Sequence, residues 1–365
     1  MEILTTVLSV SLISGGLALI IVMSEHFLNN YGECRLDINK GEKQLTVNGG
    51  SSLLASLSEH KIYLPSACGG KATCGLCKVQ VLEGAGPILP TEIPYLSKEE
   101  IEQGYRLSCQ VKVKTNIALL IPEELFNIRA YQTTVDRIDK LTHDIKGIRL
   151  RLPDDEEMSF KAGQYVQLHT KPYGKVKDSV FRAYSIASVP SERKEVELII
   201  RLVPEGICTT YVHEHLSEGD PVMISGPYGD FYLRGNCSEL VMIAGGSGLA
   251  PIRSIIYDVL EKGLDLKMNF FFGAVTKKDL YYLDEFAGLA ARNGNFIFIP
   301  ALSAPRPEDE WEGETGLITE VVDRFVENAD DKEAYLCGSP GMINACLNVL
   351  GNKGFDQDKI FYDKF

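Results

Sequence analysis

Apolar positions follow three successive patterns along the chain, after an N-terminal apolar run. Ile3 to Met23 contain no charged side chain, and a helix needs about 20 such residues to cross a bilayer. Residues 35–125 combine short strand-like runs with one helical pattern, SSLLASLSEH. Alternating strands dominate 126–235 and predict an antiparallel barrel. In 236–365, apolar strands alternate with helical segments, which predicts a parallel sheet with helices on both faces.

The N-terminal run is predicted to be a transmembrane helix, residues 1–25, followed by a linker at 26–34. A secretory signal peptide would instead have a basic segment before a shorter apolar run. Here Glu2 precedes the run, and the first basic residues, Arg35, Lys40 and Lys43, follow it. The positive-inside tendency therefore predicts a single-pass anchor in the inner membrane, with the later domains on the cytoplasmic side.

Composition narrows the classes of partner and of cysteine chemistry. The 365 residues carry a net charge of −13, so no basic stripe is available to neutralise nucleic-acid phosphates. The nine cysteines are unevenly spread in a long chain. That distribution favours metal ligation or redox chemistry in a reducing compartment over a disulfide framework.

Three cysteines lie within the segment CGGKATCGLC, and a fourth follows in RLSCQVKV. Cys68, Cys74 and Cys77 form C-x5-C-x2-C, and Cys109 stands alone. Structural zinc sites usually pair two close ligands with two more, whereas plant-type 2Fe–2S proteins have C-x4-C-x2-C and a distant cysteine. The spacing therefore favours an iron–sulfur cluster, with zinc as the alternative. Three glycines would let the loop fold tightly around the cluster: Gly69, Gly70 and Gly75.

The predicted barrel contains the segment FRAYSIAS. Strand alternation places Arg182 and Tyr184 on one side and Ser185 opposite or just past the strand. An arginine fork suits a pyrophosphate, a tyrosine suits stacking on a flat ring, and a serine hydroxyl suits a ring nitrogen. A second segment, GICTTY, begins a helix with a glycine and hydroxyl residues, which can form an anion site. Surface arginine, core tyrosine and a simple helix cap are the alternatives.

The last domain begins with the apolar strand LVMIA and then Gly245-Gly246-Ser247-Gly248. A glycine-rich turn between a strand and a helix exposes backbone N–H groups to phosphate. The motif is neither G-x-G-x-x-G nor a Walker A loop. Because open parallel sheets bind ligands at the carboxyl ends of their strands, Cys337 and Gly338 in YLCGSPG are expected across the crevice. A free cysteine there could equally be a small buried hydrophobe.

Charge in the loop after the third strand of this domain bears on the nucleotide. A 2′-phosphate would need arginine or lysine nearby. Arg306 is present, but Glu308, Asp309 and Glu310 outweigh it. The sequence therefore predicts NADH rather than NADPH.

In this order, the parts resemble the F-subunit family of the sodium-translocating NADH:quinone reductases, within the ferredoxin–NADP+ reductase superfamily. The resemblance covers nearly the whole chain. It rests on CGGKATCGLCKV, GPILPTEI and RLSCQVKVK, then on FRAYSIAS and SGPYGDF, and finally on AGGSGLAPIRSI, FFFGAVTKKDLYYLDEF and YDKF. It implies a β-grasp ferredoxin domain at 35–125, an FAD-binding barrel at 126–235 and an α/β NADH-binding domain at 236–365.

The same resemblance implies a role for each matching residue. Four cysteines would ligate the 2Fe–2S cluster: Cys68, Cys74, Cys77 and Cys109. The FAD set would be Arg182, Tyr184, Ser185, Gly206 and Thr209, with Phe365 covering the flavin ring. The nicotinamide set would be Gly245, Gly246, Gly248, Cys337 and Gly338, and Ser185 and Cys337 would flank the hydride path.

These parts predict an oxidoreductase that passes a hydride from NADH to FAD and then single electrons through the 2Fe–2S cluster. The expected acceptor is an integral membrane redox partner in a sodium-translocating, quinone-reducing complex. One alternative is a reductase component that feeds a monooxygenase or another redox partner, although such reductases are generally soluble. A second is an anchored ferredoxin-like carrier with a vestigial flavin domain, which the intact flavin and nucleotide motifs disfavour.

Overall fold

The computed structural model describes residues 11–19, 31–122, 125 and 128–364. They divide into two compact units, 1–128 and 129–365. Residues 11–19 are helical, but most of the predicted span Ile3–Met23 lies outside the described residues. Among the residues that are described, no helix combines the length and apolarity that crossing a bilayer requires.

The first unit is a mixed sheet packed against a helix. The sheet order is β2-β1-β5-β3-β4, with β1 parallel to β5 and antiparallel to β2. Ser52 caps the helix, because its hydroxyl accepts a hydrogen bond from the Ala55 N–H, 3.2 Å away. The elements are β1 (Glu33–Ile38), β2 (Lys43–Asn48), α1 (Leu53–Glu59), β3 (Lys78–Glu83), α2 (Lys98–Glu102), β4 (Tyr105–Leu107) and β5 (Ile117–Leu120).

A buried ion pair holds the connections of this unit. The Glu92 side chain is fully buried and binds the guanidinium of Arg106, with an Oε2–Nη2 distance of 2.6 Å. Arg106 also donates to the carbonyls of Ala85, Gly86 and Pro87. The segment before β4 is thereby tied to the loop after β3.

The second unit begins with an antiparallel sheet in the order β10-β7-β6-β11-β8-β9. A bridge between Ile186 and Leu198 links the two edge strands, so the sheet curls toward closure. This arrangement agrees with the predicted barrel. The elements are β6 (Arg129–Lys140), β7 (Ile145–Arg151), β8 (Tyr165–His169), β9 (Phe181–Ser185), β10 (Glu195–Arg201), α3 (Ile207–Thr210) and β11 (Pro221–Tyr228).

A parallel sheet completes this unit, in the order β15-β14-β13-β12-β16-β17. Alternate residues of β12 enter two separate cores: Met242 packs on one face, and Val241 and Ile243 on the other. Burial on both faces explains the continuous apolar run of this strand. The strands are β12 (Glu239–Gly245), β13 (Lys267–Ala274), β14 (Phe296–Leu302), β15 (Glu314–Thr315), β16 (Lys332–Gly338) and β17 (Ile360–Lys364).

Helices cover both faces of the parallel sheet, as predicted. α4 and α5 contribute to one core, and α6 and α7 to the other. The helices are α4 (Leu249–Glu261), α5 (Leu283–Arg292), α6 (Ile318–Phe325) and α7 (Pro340–Asn352). Shorter turns of 3-10 helix are Ile93–Tyr95, Gly246–Gly248, Lys277–Asp279, Pro307–Asp309 and Gln357–Lys359, and a π-helical turn is Tyr211–His215.

The buried ion pair leads to a stability prediction. Glu92→Gln keeps the shape of the side chain but leaves the Arg106 charge buried without its carboxylate, which should cost about 3–5 kcal/mol of unfolding free energy. Urea unfolding of the variant and of the parent protein measures the difference. Glu83→Gln, at an exposed position of β3, is the control, and equal stability of all three proteins would contradict the prediction.

The same pair gives a sign for the pH dependence. Burial would raise the pKa of Glu92, but hydrogen bonds from Arg106 and from two backbone N–H groups outweigh burial and hold that pKa below its ordinary value. The pair therefore stabilises the fold above the unfolded pKa of about 4.3 and loses this effect as pH falls through the lower folded pKa. The gap between parent and Glu92→Gln should narrow in that acidic range.

Candidate functional site

The four predicted cluster cysteines lie together in the first unit, arranged as two pairs. The Cys68 and Cys74 sulfurs are 3.4 Å apart, and the thiols of Cys77 and Cys109 hydrogen-bond to each other. All four are free thiols. Within the described ranges, no group of three or more metal-ligating side chains surrounds one point. A pair of thiolates for each of two irons suits this arrangement better than a single tetrahedral zinc ion.

Each pair contains one thiol that ionises readily. The hydrogen bond with Cys74 lowers the pKa of Cys68, and that with Cys77 lowers the pKa of Cys109 to about 7. The same bonds raise the pKa values of Cys74 and Cys77. Because the thiolate is the ligand form, each pair can offer one ligand without a large ionisation cost.

The loop between the cysteines adopts backbone conformations that require glycine. Gly69, Gly70 and Gly75 have φ values of +63°, +85° and +69°. At Gly75 a Cβ would lie only 2.8 Å from the Tyr95 ring. The loop is also tied from within, because the Gly70 N–H donates to the buried Ser66 hydroxyl over 3.1 Å. The predicted tight fold of the loop is therefore present.

A buried hydroxyl beside these cysteines tests whether a cluster fits. Ser108 has no exposed surface, and its Oγ has no hydrogen-bond partner in the described part of the chain. An orphaned polar atom of this kind calls for a further group at the site. A sulfur-rich cluster held by the four cysteines would supply an acceptor, so the residues present fit a 2Fe–2S cluster.

The three residues of the predicted flavin motif lie on β9, an outer strand of the barrel whose side chains are all half-buried. Arg182 and Tyr184 stand opposite Leu168 and Val166 of β8, so they share one side of the strand as predicted. The Arg182 guanidinium donates to the Phe181 carbonyl, 2.7 Å away. It forms no ion pair with any described residue, which leaves its other donors for a pyrophosphate.

The second flavin segment begins α3, with Gly206 as its N-cap. The Thr209 hydroxyl accepts from the Val203 N–H over 3.1 Å and also lies near the Gly206 carbonyl. A Cβ at Gly206 would be 2.6 Å from that hydroxyl. Thr209 therefore shapes the start of the helix, and its hydroxyl is engaged within the chain.

The predicted nicotinamide residues converge at the carboxyl ends of β12 and β16. A Cβ on Gly248 would lie 2.2 Å from the Cys337 carbonyl oxygen, and one on Gly338 would lie 3.3 Å from the Gly245 carbonyl oxygen. The backbones thus pack closer than any side chain would allow. Gly246 has a φ of +57°, and the five glycine and cysteine positions form one cradle.

Tyr281, which the sequence reasoning did not identify, supports this cradle. Its hydroxyl donates to the Gly246 carbonyl over 2.8 Å. Burial raises the pKa of Tyr281 well above its ordinary value, so the hydroxyl stays protonated and remains a donor. No sequence signal marked it, because tyrosines are common in apolar segments such as DLYYLDEF.

A network from α4 joins this cradle to the flavin strand. Arg253 donates to the Ala187 carbonyl over 3.0 Å and to Glu197 over 2.8 Å, and the Ser254 hydroxyl donates to the Ser188 carbonyl over 2.6 Å. The chain that continues from Ser185 is therefore bonded to the helix that follows the glycine-rich turn. Adjacent polar residues in the helical segment APIRSI were the available signal for this contact.

Charge balance makes the Arg253 network strong. Arg253 also binds Glu285 of α5 over 2.8 Å. Burial opposes ionisation of Glu197, but Arg253 and Arg149 outweigh it and keep the pKa of Glu197 below its ordinary value. The barrel and the parallel sheet are thus joined through charges that are paired on both sides.

The loop after β14 neutralises its own basic residue. Asp309 accepts from the backbone N–H groups of Arg306 and Lys277 through Oδ2, at 2.9 and 3.5 Å. The Lys277 ammonium donates to the Asp309 carbonyl over 2.8 Å, and Glu308 lies 3.8 Å from the Arg306 guanidinium. Both basic side chains are therefore engaged with this acidic turn.

The close approach at Gly248 predicts an effect on the nucleotide site. In Gly248→Ala the methyl group would displace the end of β16, so we expect KM for NADH to rise about tenfold, equivalent to ~1.4 kcal/mol of binding. Steady-state kinetics over a range of NADH concentrations measures this.

Gly263→Ala is the matched control for that variant. Gly263 also has a positive φ, +60°, but nothing lies within 4 Å of its Cβ position. The control should lose about 1–2 kcal/mol of stability from backbone strain and keep the parental KM. An unchanged KM in Gly248→Ala would contradict the role assigned to the close approach.

Comparison with solved structures identifies chains of similar architecture. The cytochrome P450 reductase of Amycolatopsis aligns with a TM-score of 0.72 and 28% identity, covering 91% of this chain and 98% of that one. The ferredoxin reductase of carbazole 1,9a-dioxygenase aligns with a TM-score of 0.70 and 26% identity, covering 92% and 98%.

Three family models match consecutive parts of the chain. They are the 2Fe-2S iron-sulfur cluster binding domain over residues 36–114, the oxidoreductase FAD-binding domain over 132–232 and the oxidoreductase NAD-binding domain over 242–348. The expected set of cofactors, a 2Fe–2S cluster, FAD and NADH, is confirmed by these matches.

Curated relatives match over the full length. The F subunit of the Na(+)-translocating NADH-quinone reductase of Histophilus somni is 36% identical, with both chains covered completely. The corresponding protein of Mannheimia succiniciproducens is 37% identical, over 96% of this chain and 95% of the relative. That of Neisseria meningitidis is 36% identical over the whole of both chains. The chain therefore belongs to the F-subunit family of the Na+-translocating NADH-quinone reductases.

Proposed function

We propose that this chain is the NADH-oxidising, electron-input component of a membrane complex of the Na+-translocating NADH-quinone reductase type. The observation that carries the proposal is the bonding of α4 to the segment after β9, because it places the flavin motif beside the nucleotide cradle within one compact unit. The full-length relatives, which are named as this component of the complex, support the same assignment.

Each part of the site would have its own task. Arg182 would bind the FAD pyrophosphate, Tyr184 would pack against the flavin, and Ser185 would donate a hydrogen bond to it. Gly206 and Thr209 would form the adjacent helix start. The nucleotide cradle would hold NADH: Gly245, Gly246, Gly248, Cys337 and Gly338. Phe365, proposed to cover the flavin ring, lies outside the described residues.

When bound, FAD takes two electrons from NADH and releases them one at a time to a one-electron carrier such as a 2Fe–2S cluster. The chain's own part is to hold the reactants in place. Close backbone packing at Gly248 fixes the floor of the nucleotide cradle, and Cys337 is fully buried there. Burial also raises the pKa of Cys337, so it stays an uncharged thiol that packs beside the hydride path without reacting as a thiolate.

We also propose that residues 1–25 anchor the chain in the inner membrane, with the two compact units on the cytoplasmic side. Within the described helix 11–19, four apolar side chains are 58–72% exposed, which suits an apolar environment. They are Leu12, Ile13, Leu17 and Leu19. Integral membrane redox proteins of the complex would then receive the electrons and pass them to a quinone.

A second candidate function is a reductase that serves an oxygenase. The two solved structures of similar architecture are named as reductases of a cytochrome P450 and of a dioxygenase. Co-purification from native membranes distinguishes the two candidates. Recovery with integral membrane redox proteins supports the proposal, and recovery with an oxygenase supports the alternative.

Rapid kinetics tests the proposed electron path. We expect NADH, mixed anaerobically with the full-length chain in a stopped-flow instrument, to bleach the flavin absorbance before the cluster absorbance. Hydride transfer needs a two-electron acceptor, so the flavin must come first. Arg182→Ala, which removes the proposed pyrophosphate ligand, should lower the flavin content of the purified protein severalfold. Cluster bleaching ahead of the flavin would overturn the proposed path.

The acidic turn after β14 predicts the choice of nucleotide. We expect NADH to be used in preference to NADPH, because Glu308 and Glu310 would repel a 2′-phosphate. Two charges about 4 Å apart in water interact by roughly 1 kcal/mol, so Glu308→Gln with Glu310→Gln should raise kcat/KM for NADPH severalfold. Glu327→Gln, exposed after α6, is the control. No gain in the double variant would contradict this role.

A further inference from the structure

Ser108 is a buried polar residue whose side chain the fold does not use. It lies directly before Cys109 and has no exposed surface. Its hydroxyl faces the Cys77 thiol but forms no hydrogen bond of full geometry with any described group. The serine therefore stands between two of the four proposed cluster ligands with a donor that has no acceptor.

The backbone fixes Ser108 in this position. Its N–H donates to the Cys77 carbonyl over 2.9 Å, and its carbonyl accepts from the Leu54 N–H over 3.0 Å. The residue is thus held from β3 on one side and from α1 on the other, and its side chain cannot turn toward water. Only rotation of the hydroxyl hydrogen remains free.

Comparison with other polar groups shows that the Ser108 hydroxyl is unusual. The nearby Ser66 is equally buried, but its hydroxyl accepts from the Gly70 N–H. The other two described side-chain atoms without partners belong to Asp37 and Glu156, which are only half-buried. A fully enclosed hydroxyl without a partner is costly, so its presence points to a group that it would bind.

We propose that Ser108 is a positioning residue that donates a hydrogen bond to a sulfur of the 2Fe–2S cluster and thereby raises the reduction potential of that cluster. The inference rests on the proposed cluster at the four cysteines and adds a residue to its function. Reduction adds one electron and no proton, so negative charge on the sulfurs increases. A hydroxyl donor stabilises the more negative state, and hydrogen bonds to the sulfurs are known determinants of such potentials.

An anaerobic redox titration of the full-length chain, followed by the electron paramagnetic resonance signal of the reduced cluster, tests the proposal. In Ser108→Ala we expect the equilibrium constant for one-electron reduction to fall about tenfold, which is a shift of ~59 mV to more negative potential. Ser108→Thr keeps the hydroxyl and should restore the parental potential. Ser56→Ala, at an equally buried serine of α1, should not shift it.

A second measurement separates a tuning role from a structural one. With the cluster removed, the Ser108 hydroxyl has no partner to lose, so Ser108→Ala should be at least as stable as the parent in thermal unfolding. This comparison needs no cluster and remains informative if the alanine variant assembles the cluster poorly.

Three results would overturn the inference. They are an unchanged potential in Ser108→Ala, an equal shift in Ser56→Ala, or a loss of stability in the cluster-free Ser108→Ala protein. Failure of the proposed function is distinguishable from these results, because a parent protein without a cluster signal would remove the cluster itself.

Discussion

The bonds that Arg253 and Ser254 make across the second unit determine how its two halves can work together. The barrel and the parallel sheet each have a hydrophobic core, and neither core defines an angle between them. Arg253 supplies that definition, because it binds Glu197 of the barrel and Glu285 of the nucleotide domain. Charges in a partly buried site interact more strongly than at the surface, so a rotation that separated them would leave a buried charge without a partner.

Close backbone packing is the second constraint, and it acts at the nucleotide cradle. The turn at Gly248 approaches the end of β16 so closely that a methyl group would overlap the Cys337 carbonyl. The same approach brings Cys337 and Gly338 next to the turn. Arg253 lies in the helix that begins at this turn, so the packing of the cradle and the orientation of the barrel are transmitted through one element, α4.

The cysteine site shows how far spacing alone can lead. C-x5-C-x2-C with a distant cysteine favoured a 2Fe–2S cluster and left zinc open. The pairing of Cys68 with Cys74 and of Cys77 with Cys109 distinguishes the two, because two irons need two pairs and one zinc ion needs four converging ligands. The role of Ser108 was invisible in RLSCQVKV, since a serine there is equally compatible with an exposed strand residue.

The sequence by itself determined the element types, the three cofactor motifs and the family. Periodicity revealed the parallel sheet because burial on both faces requires continuous apolar strands, and glycines marked the turns because only glycine tolerates those backbone angles. The tertiary structure decided which distant residues meet. Tyr281 reaches Gly246, Arg253 reaches Ala187, and Ser108 is enclosed beside Cys77. Such contacts depend on how whole elements pack, and no local pattern records which side chain will lie opposite another across a core.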